Sequence, residues 1–416
     1  MTVKWIEGKG YSPEILCQIF EESKGRIKNG KASFTGGFLH FPYNVAVLSS
    51  MLSFDSNIPE LEKRRIVNKA LFNVGGKAKI TPQTLLQEMD RLGRNYLGIV
   101  PKKFVLITSL SISNLIKLKR QVINNCVITF SNDISHVFHK EIGKIKEGAT
   151  NFIDGEFPKN YLFVKISVEA KSYSEAFDRA INAIDIFRGI WNYFYNRKSY
   201  RMSFGQRKPV NRIVPGPLHT LHFPNGKLVT EKWWYETDYR GPLEAFDPSK
   251  EIINLYKFQE NMKKKLKKSP FRAFLEAAIV RYTRALDLKD WDNAFLRLWS
   301  ILETITCTGM NDTHKITVNR ASFLYEDREY AKQILIHLKE YRNRAIHEES
   351  GNQDIETFMY QIKNFVEATL EFLIINKFKL NNLNEVKQFM NLENNETMLK
   401  KRIKLINSAL KFMGNQ

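Results

Sequence analysis

The segment 340–350, EYRNRAIHEES, brings arginine, asparagine and histidine side chains within six positions of one another. Histidine titrates near neutral pH, so it can take a proton from a hydroxyl group as a general base. The planar guanidinium of arginine stays charged and binds phosphate oxygens, so it can stabilise negative charge that develops in a reaction. Asparagine can orient the histidine or the phosphate. Arg342, His347 and Asn343 are therefore the candidate catalytic residues.

The periodicity of residues 328–347 predicts a helix that carries this segment. Its apolar residues fall on one stripe: Ile334, Leu338, Tyr341 and Ala345. At 100° per residue, His347 lies roughly 150° from the middle of the stripe and close to Asn343, and Arg342 lies at its border. His347 is thus predicted not to face the core of its own helix. Positive side chains that complement the dipole at a helix C-terminus explain the charges equally well, but not the Arg-Asn pair before the histidine.

The pattern Arg342-Asn343-x-x-x-His347 resembles the signature of the HEPN family. HEPN domains are bundles of four or five helices, with the motif near the end of the penultimate long helix. Residues 271–380 are predicted to have this arrangement, so the resemblance covers the C-terminal third of the chain. Tyr341 before the arginine and the segment AFLRLWSILETIT with Glu303 are also similar to family members. One departure is Glu349, because many toxin-type members have tyrosine at that position.

The resemblance implies a metal-independent endoribonuclease that leaves 2′,3′-cyclic phosphate and 5′-hydroxyl ends, with no cofactor and no metal. It implies RNA, including tRNA, as the partner, and a homodimer through the HEPN domain that sets two motifs face to face. The candidate RNA-binding residues are Arg344, Tyr341, Lys339 and Glu303. Bacterial fusions of this kind resemble abortive-infection and other antiphage toxins, whose N-terminal module senses a phage or cellular trigger.

The composition favours a polyanionic partner. The chain has 64 Lys and Arg against 44 Asp and Glu, a net charge of +20, and nucleic acid is the commonest polyanion that such a charge attracts. A membrane surface and a lysine-rich composition inherited from an AT-rich genome are the alternatives. Hydrophobic residues make up 43% of the chain, which excludes a disordered protein.

The sequence also favours a cytoplasmic protein that does not associate with a membrane. Cys17, Cys126 and Cys307 are far apart and form no CxxC pair, so neither a disulfide framework nor a cysteine zinc site is indicated. The first residues lack the apolar run of a signal peptide. No segment reaches the ~18 consecutive apolar residues that would span a bilayer.

The predicted fold class is multidomain α+β. A mixed α/β module of uncertain fold and regulatory role occupies 1–240, a basic helical linker follows at 241–268, an all-α HEPN bundle spans 269–380, and 381–416 is a basic tail. Within the first module, the pattern predicts a strand over 160–172, followed by a helix over 173–196 with Ser174 as its N-cap.

Other candidate sites are weaker. Asp133, His136 and His139 could ligate a metal, but no further ligands are apparent, and His219 and His222 lie in strand-like sequence where they should face opposite sides. No glycine-rich phosphate loop is present. The basic runs 262–268 and 399–404 are solvated faces or phosphate contacts.

Two other functions remain open. One is a non-catalytic HEPN-type dimer that binds RNA or a nucleotide, although intact Arg342 and His347 argue against it. The other is a structural helical protein whose charge is incidental. RNA binding that weakens steeply with salt would distinguish the binding dimer from the structural protein.

Overall fold

The structure, a computed structural model, describes residues 2–8, 10–35, 37–55, 57–197, 199, 208–307, 314–347, 354–393 and 395–414. Side chains are described at these positions except 37–39, 314, 346 and 347. Over this part of the chain the protein is mixed α/β, with a six-stranded sheet and fourteen α-helices. None of the helices described there has both the length and the apolar character needed to cross a membrane.

The N-terminal unit, residues 2–97, has a hydrophobic core of its own that includes Phe20, Leu71 and Met89. Its elements are β1 (Val3–Trp5), α1 (Pro13–Glu22), β2 (Lys24–Lys28), β3 (Lys31–Phe34), α2 (Gly37–Ser50), β4 (Leu52–Phe54), α3 (Glu60–Gly75) and α4 (Pro82–Leu97). β1 pairs with β4, and β2 with β3, both antiparallel. Two-stranded sheets are marginal alone, so the helices packed around them supply most of the stabilising burial.

The six-stranded sheet follows. Its elements and the helices that cover it are β5 (Lys102–Ser113), β6 (Gln121–Ile123), β7 (Cys126–Ser131), α5 (His136–Ala149), β8 (Tyr161–Ala170), α6 (Tyr173–Asn196), β9 (Leu218–His222) and β10 (Trp234–Tyr235). The strand order is β10-β9-β5-β8-β7-β6, with antiparallel pairs throughout. Alternate residues of β8 from Leu162 to Ala170 share the core of α6, because successive strand side chains point to opposite faces. On the other face, α5 packs against Val105 and Ile107.

The helical region begins after a short 3₁₀ turn at Ser249–Glu251. Its helices are α7 (Ile252–Lys268), α8 (Arg272–Leu286), α9 (Trp291–Thr306), α10 (His314–Ser322), α11 (Arg328–His347), α12 (Ile355–Ile375), α13 (Leu383–Met390) and α14 (Glu396–Gly414). α9 packs between α8 and α12, and α10 lies along α11. This arrangement brings the first turns of α9 next to the C-terminal end of α11.

One hydrophobic cluster joins the sheet to the helical region. The indole Nε1 of Trp191 in α6 donates to Oε1 of Gln259 in α7 at 2.7 Å, both buried. α6 also meets α8 closely at Gly189, where an added Cβ would lie 2.5 Å from Thr283 Oγ1. The predicted end of the α/β module at residue 240 therefore lies close to a change of secondary structure, while the core continues across it. The division into domains stays a prediction.

The predicted strand and helix over 160–196 are confirmed as β8 and α6, but the predicted cap is wrong. The N-cap is Ser172, whose Oγ accepts a hydrogen bond from the Glu175 N–H at 3.2 Å. Ser174 is instead buried in the first turn. A capping side chain bonds the N–H two or three residues ahead, and Ser172 stands at that spacing before the turn.

The C-terminal helix α14 has no buried residue, and only Leu399 is even half-buried. Its exposed side chains include Ile403, Ile406 and Leu410, three or four residues apart. The exposed side chains of the same helix also include Lys400, Lys401, Arg402, Lys404 and Lys411. α14 thus adds little to the core of the rest of the chain.

Candidate functional site

The helix α11 carries the motif, and its bounds agree with the predicted helix 328–347. Its start is fixed by Asp327, whose carboxylate accepts a hydrogen bond from the Tyr330 N–H at 3.0 Å. Among the described side chains of the helix, those of Ala331, Leu335, Leu338 and Tyr341 are buried. Leu338 and Tyr341 are confirmed as members of the predicted stripe, whereas Ile334 and Ala345 are half-buried flanks.

The buried stripe of α11 does not coincide with the predicted one, so Arg342 has a different position relative to it. Arg342 follows Leu335 by seven residues and Leu338 by four, so Arg342 lies on the same face of α11 as these two leucines. The sequence placed Arg342 at the border of the stripe, because the predicted stripe contained Ile334 and Ala345 in place of Ala331 and Leu335. The Arg342 side chain is half-buried. It therefore emerges from the buried face of the helix, near the helix end.

Tyr341 fixes this end of α11 to its neighbours. Its hydroxyl donates a hydrogen bond to the carboxylate of Asp292, in the first turn of α9. Its ring meets Phe295 edge-to-face, with centroids 4.9 Å apart, and lies 4.9 Å from the ring of Phe358 in α12. Aromatic pairs at this separation add about 0.5–1.5 kcal/mol each beyond the burial of their area. Three helices thus converge on the residue before Arg342.

The polar residues after Tyr341 are progressively more exposed. Nη1 of Arg342 donates to Oδ1 of the half-buried Asn343 at 3.4 Å, a long hydrogen bond that leaves the guanidinium able to take other acceptors. Arg344 is exposed. Nζ of Lys339 lies 2.9 Å from the Glu340 carboxylate, and its hydrogen bond and charge, with the charge of Arg344, lower the pKa of Glu340. Arginine, asparagine and lysine side chains therefore lie within six positions of one another on the partly exposed surface of α11.

Two further sequence candidates are His347 and Glu303. His347 is the last residue of α11, and its side chain lies outside the described residues. Glu303 lies eleven residues after Asp292 on α9, about 16 Å along the helix axis. Its carboxylate accepts a hydrogen bond from the Trp299 indole at 2.7 Å. Glu303 thus lies towards the other end of α9 from the residues that contact Tyr341, and its binding of RNA stays a prediction.

The residues that support the motif from other helices were not predicted. Asp292 and Phe295 belong to α9, and Phe358 belongs to α12. In the sequence, Asp292 is one acidic residue in the first turn of a helix, a position that acidic residues favour for electrostatic reasons. Phe358 is one of several apolar residues that recur at helical spacing in the sequence of α12. Nothing local in the sequence pairs either residue with Tyr341.

The weaker histidine candidates have structural partners. Nε2 of His139 lies 3.4 Å from Oδ1 of Asp133. His219 and His222 face opposite sides of the sheet, as predicted, with His219 bonded to Glu236 at 2.9 Å and His222 packed on Phe138. Within the described residues, no three His, Cys, Asp or Glu side chains are grouped so as to hold a metal ion.

The basic run at 262–268 lies in the last two turns of α7. Met262 and Leu266 are buried, and Lys264, Lys267 and Lys268 are exposed. This is the pattern of a solvated helix face, and a role in phosphate contact stays a prediction.

Comparison with known proteins gives no relative from which a function could be transferred. No family model, no curated protein and no solved structure matches the chain. Any functional assignment therefore depends on the chemistry of α11 and on its support by α9 and α12.

Proposed function

We propose that the chain is a metal-independent endoribonuclease of the HEPN type, with its site at the C-terminal end of α11. One observation carries the proposal. The buried Tyr341 holds this end of the helix against Asp292, Phe295 and Phe358, and the next residue, Arg342, leaves the buried face beside Asn343. A guanidinium and an amide are thereby held near the surface by a packed support, as a phosphate-binding site requires.

In the proposed reaction, His347 takes the proton from a ribose 2′-hydroxyl. The 2′-oxygen then attacks the adjacent phosphorus, and the bond from phosphorus to the 5′-oxygen breaks. Arg342 stabilises the charge that develops on the phosphate oxygens, and Asn343 orients the phosphate or the histidine. The departing 5′-oxygen takes up a proton, which leaves a 5′-hydroxyl and a 2′,3′-cyclic phosphate. Two copies of the motif, facing each other in a homodimer, would supply the base and the acid.

The roles of the flanking residues follow from their exposure. Arg344 is exposed and Lys339 is half-buried, so both can contact the RNA backbone outside the reacting phosphate. Tyr341 is buried, and we assign it a positioning role instead of the RNA contact expected from sequence. The net charge of +20 supports a polyanionic substrate such as tRNA. By resemblance, the biological role would be that of an antiphage toxin whose N-terminal module senses a trigger.

The test is incubation of the purified full-length protein with total RNA and with tRNA in the presence of EDTA. His347→Ala is the inactive variant, and Lys332→Ala, on the same helix but away from its end, is the matched control. We expect wild type and Lys332→Ala to cut, and the products to carry cyclic phosphate ends. Cleavage by His347→Ala at the wild-type rate would refute the proposal. Salt-sensitive RNA binding without cleavage by any of the three would favour the non-catalytic RNA-binding dimer.

A further inference from the structure

A pocket of about 270 Å³ lies where the sheet meets the helical region. The segment after β10 forms one wall, and residues of α8, of α9 and of the turn between them form the other. The charged and aromatic residues that matter for its chemistry are Glu236, Tyr239, Arg240, Arg284, Lys289 and Arg297. Its volume is close to the lower end of the ~300–1,000 Å³ typical of small-molecule sites.

The floor of the pocket is a network of charged side chains. Nη1 of Arg284 donates to both carboxylate oxygens of Glu236, at 2.8 and 2.7 Å, and its Nε donates to Asp185 at 2.6 Å. Beneath it, the fully buried Arg188 donates to Asp185 at 2.7 Å and to Asp287 at 2.8 Å. Each of the three carboxylates is therefore bonded to an arginine. Such a network holds its members in one geometry before any ligand arrives.

The rim of the pocket carries positively charged side chains whose interactions within the protein are weak. Arg297 is exposed, and Lys289 donates to the backbone carbonyl of Arg240 at 3.2 Å. Over the part of the chain that the structure describes, neither Lys289 nor Arg297 has an acidic partner within 4.0 Å. Arg240 pairs with Asp154 at 3.5 Å, but both side chains are more than half exposed, and such pairs contribute little. One exposed carboxylate, Asp238, shares the rim.

We propose that this pocket binds a small phosphate-bearing molecule of about mononucleotide size. Lys289 and Arg297 bind the phosphate, because ammonium and guanidinium groups make strong, charge-assisted hydrogen bonds to phosphate oxygens. The remainder of the molecule occupies the pocket beside Tyr239, where the Glu236 carboxylate can accept hydrogen bonds from it. The prearranged floor lowers the entropic cost of binding.

The position of Arg297 connects this pocket to α11. Arg297 lies five residues after Asp292 on α9, which turns it roughly 140° around the helix. One side of α9 thus holds Tyr341, and another side faces the pocket. Binding of the ligand is independent of the proposed ribonuclease activity, whereas regulation of that activity through α9 rests on the proposed function.

The test is isothermal titration calorimetry on the full-length protein, with AMP, GMP, CMP and UMP, the four corresponding nucleosides, and inorganic phosphate. The variant is Lys289→Ala/Arg297→Ala, and the matched control is Lys264→Ala/Lys268→Ala, which removes two exposed lysines of α7 outside the pocket. Titration detects binding whether or not the protein cuts RNA, so the two proposals can fail separately.

We expect saturable binding of at least one mononucleotide, with one site per chain. Removal of its phosphate, or of both rim cations, should weaken that binding by at least about tenfold. The control should bind as wild type does. Absence of binding by all four mononucleotides would overturn the proposal. The proposal would also be overturned if the Lys289→Ala/Arg297→Ala variant bound the mononucleotide as tightly as wild type. It would be overturned as well if inorganic phosphate alone bound as tightly as the mononucleotide.

Discussion

The hydroxyl of Tyr341 donates a hydrogen bond to the carboxylate of Asp292, across 49 residues of sequence. Both side chains are buried, with Tyr341 4% and Asp292 8% exposed. Because Arg342 directly follows Tyr341, this bond sets where the guanidinium leaves the helix. The buried carboxylate of Asp292 also needs hydrogen-bond donors, because a buried acceptor without a hydrogen bond destabilises the folded protein.

Tyr341→Phe removes this donor and keeps the ring packed between Phe295 and Phe358. We expect the free energy of unfolding to fall by about 1–3 kcal/mol, the usual cost of removing one partner from a buried polar group. Urea denaturation measures the change. Tyr330→Phe is the matched control, because Tyr330 is on the same helix and 67% exposed. Equal stability of the two variants would show that the Asp292 bond does not hold α11 in place.

Arg342→Ala tests the assigned role of the guanidinium. We expect kcat for RNA cleavage to fall about 10²–10³-fold, the usual effect of removing one group that stabilises transition-state charge. KM should change less, because the contact strengthens as charge develops on the phosphate. Cleavage assays in EDTA give both constants, and circular dichroism shows that the variant is folded. A rise in KM with an unchanged kcat would instead assign Arg342 to substrate binding.

The sequence predicted the helices of the C-terminal region well, because long amphipathic segments carry a strong 3.6-residue period. α11 begins and ends where predicted, and the buried residues of α12 between Ile355 and Leu370 recur with the same period. The contacts that build the sites were not predictable. Asp292 meets Tyr341 and Glu236 meets Arg284 across about fifty residues, and helix periodicity has no information about which faces pack together.

Glu236 should make stability depend on pH. Burial alone would raise the pKa of this carboxyl, but the hydrogen bond from His219 and the charge of Arg284 outweigh it and lower the pKa well below its usual range. The folded state then binds the proton less readily than the unfolded state. The stabilisation is therefore complete above about pH 5 and is lost as the pH falls below ~4.3, the unfolded value.

Glu236→Gln should destabilise the protein at pH 7, by about 1–3 kcal/mol, and by less at pH 3.5. Urea denaturation at both pH values measures the difference. Glu231→Gln, at an exposed carboxylate five residues earlier, is the control and should change stability little at either pH. A destabilisation by Glu236→Gln that is the same at both pH values would exclude the proposed protonation effect.

The shared core predicts which fragments can fold. Residues 250–416 alone would expose the surface of α7 and α8 that α6 covers at Gly189, Trp191 and Tyr193. We expect this fragment to show no cooperative thermal unfolding. Residues 100–416 keep α6 and lose only the N-terminal unit, whose core is separate. They should unfold cooperatively when followed by circular dichroism. A cooperative transition of 250–416 would instead place a domain boundary at 240–250.

Deletion of 396–416 should leave the stability of the remaining chain almost unchanged. No residue of α14 is buried, and changes at exposed positions usually stay within about 0.5 kcal/mol. The contrasting variant is Met390→Ala in α13, where Met390 is 1% exposed and the loss should reach about 2–5 kcal/mol. Urea denaturation compares the two. A loss on deletion as large as that of Met390→Ala would mean that α14 packs against the body of the protein in solution.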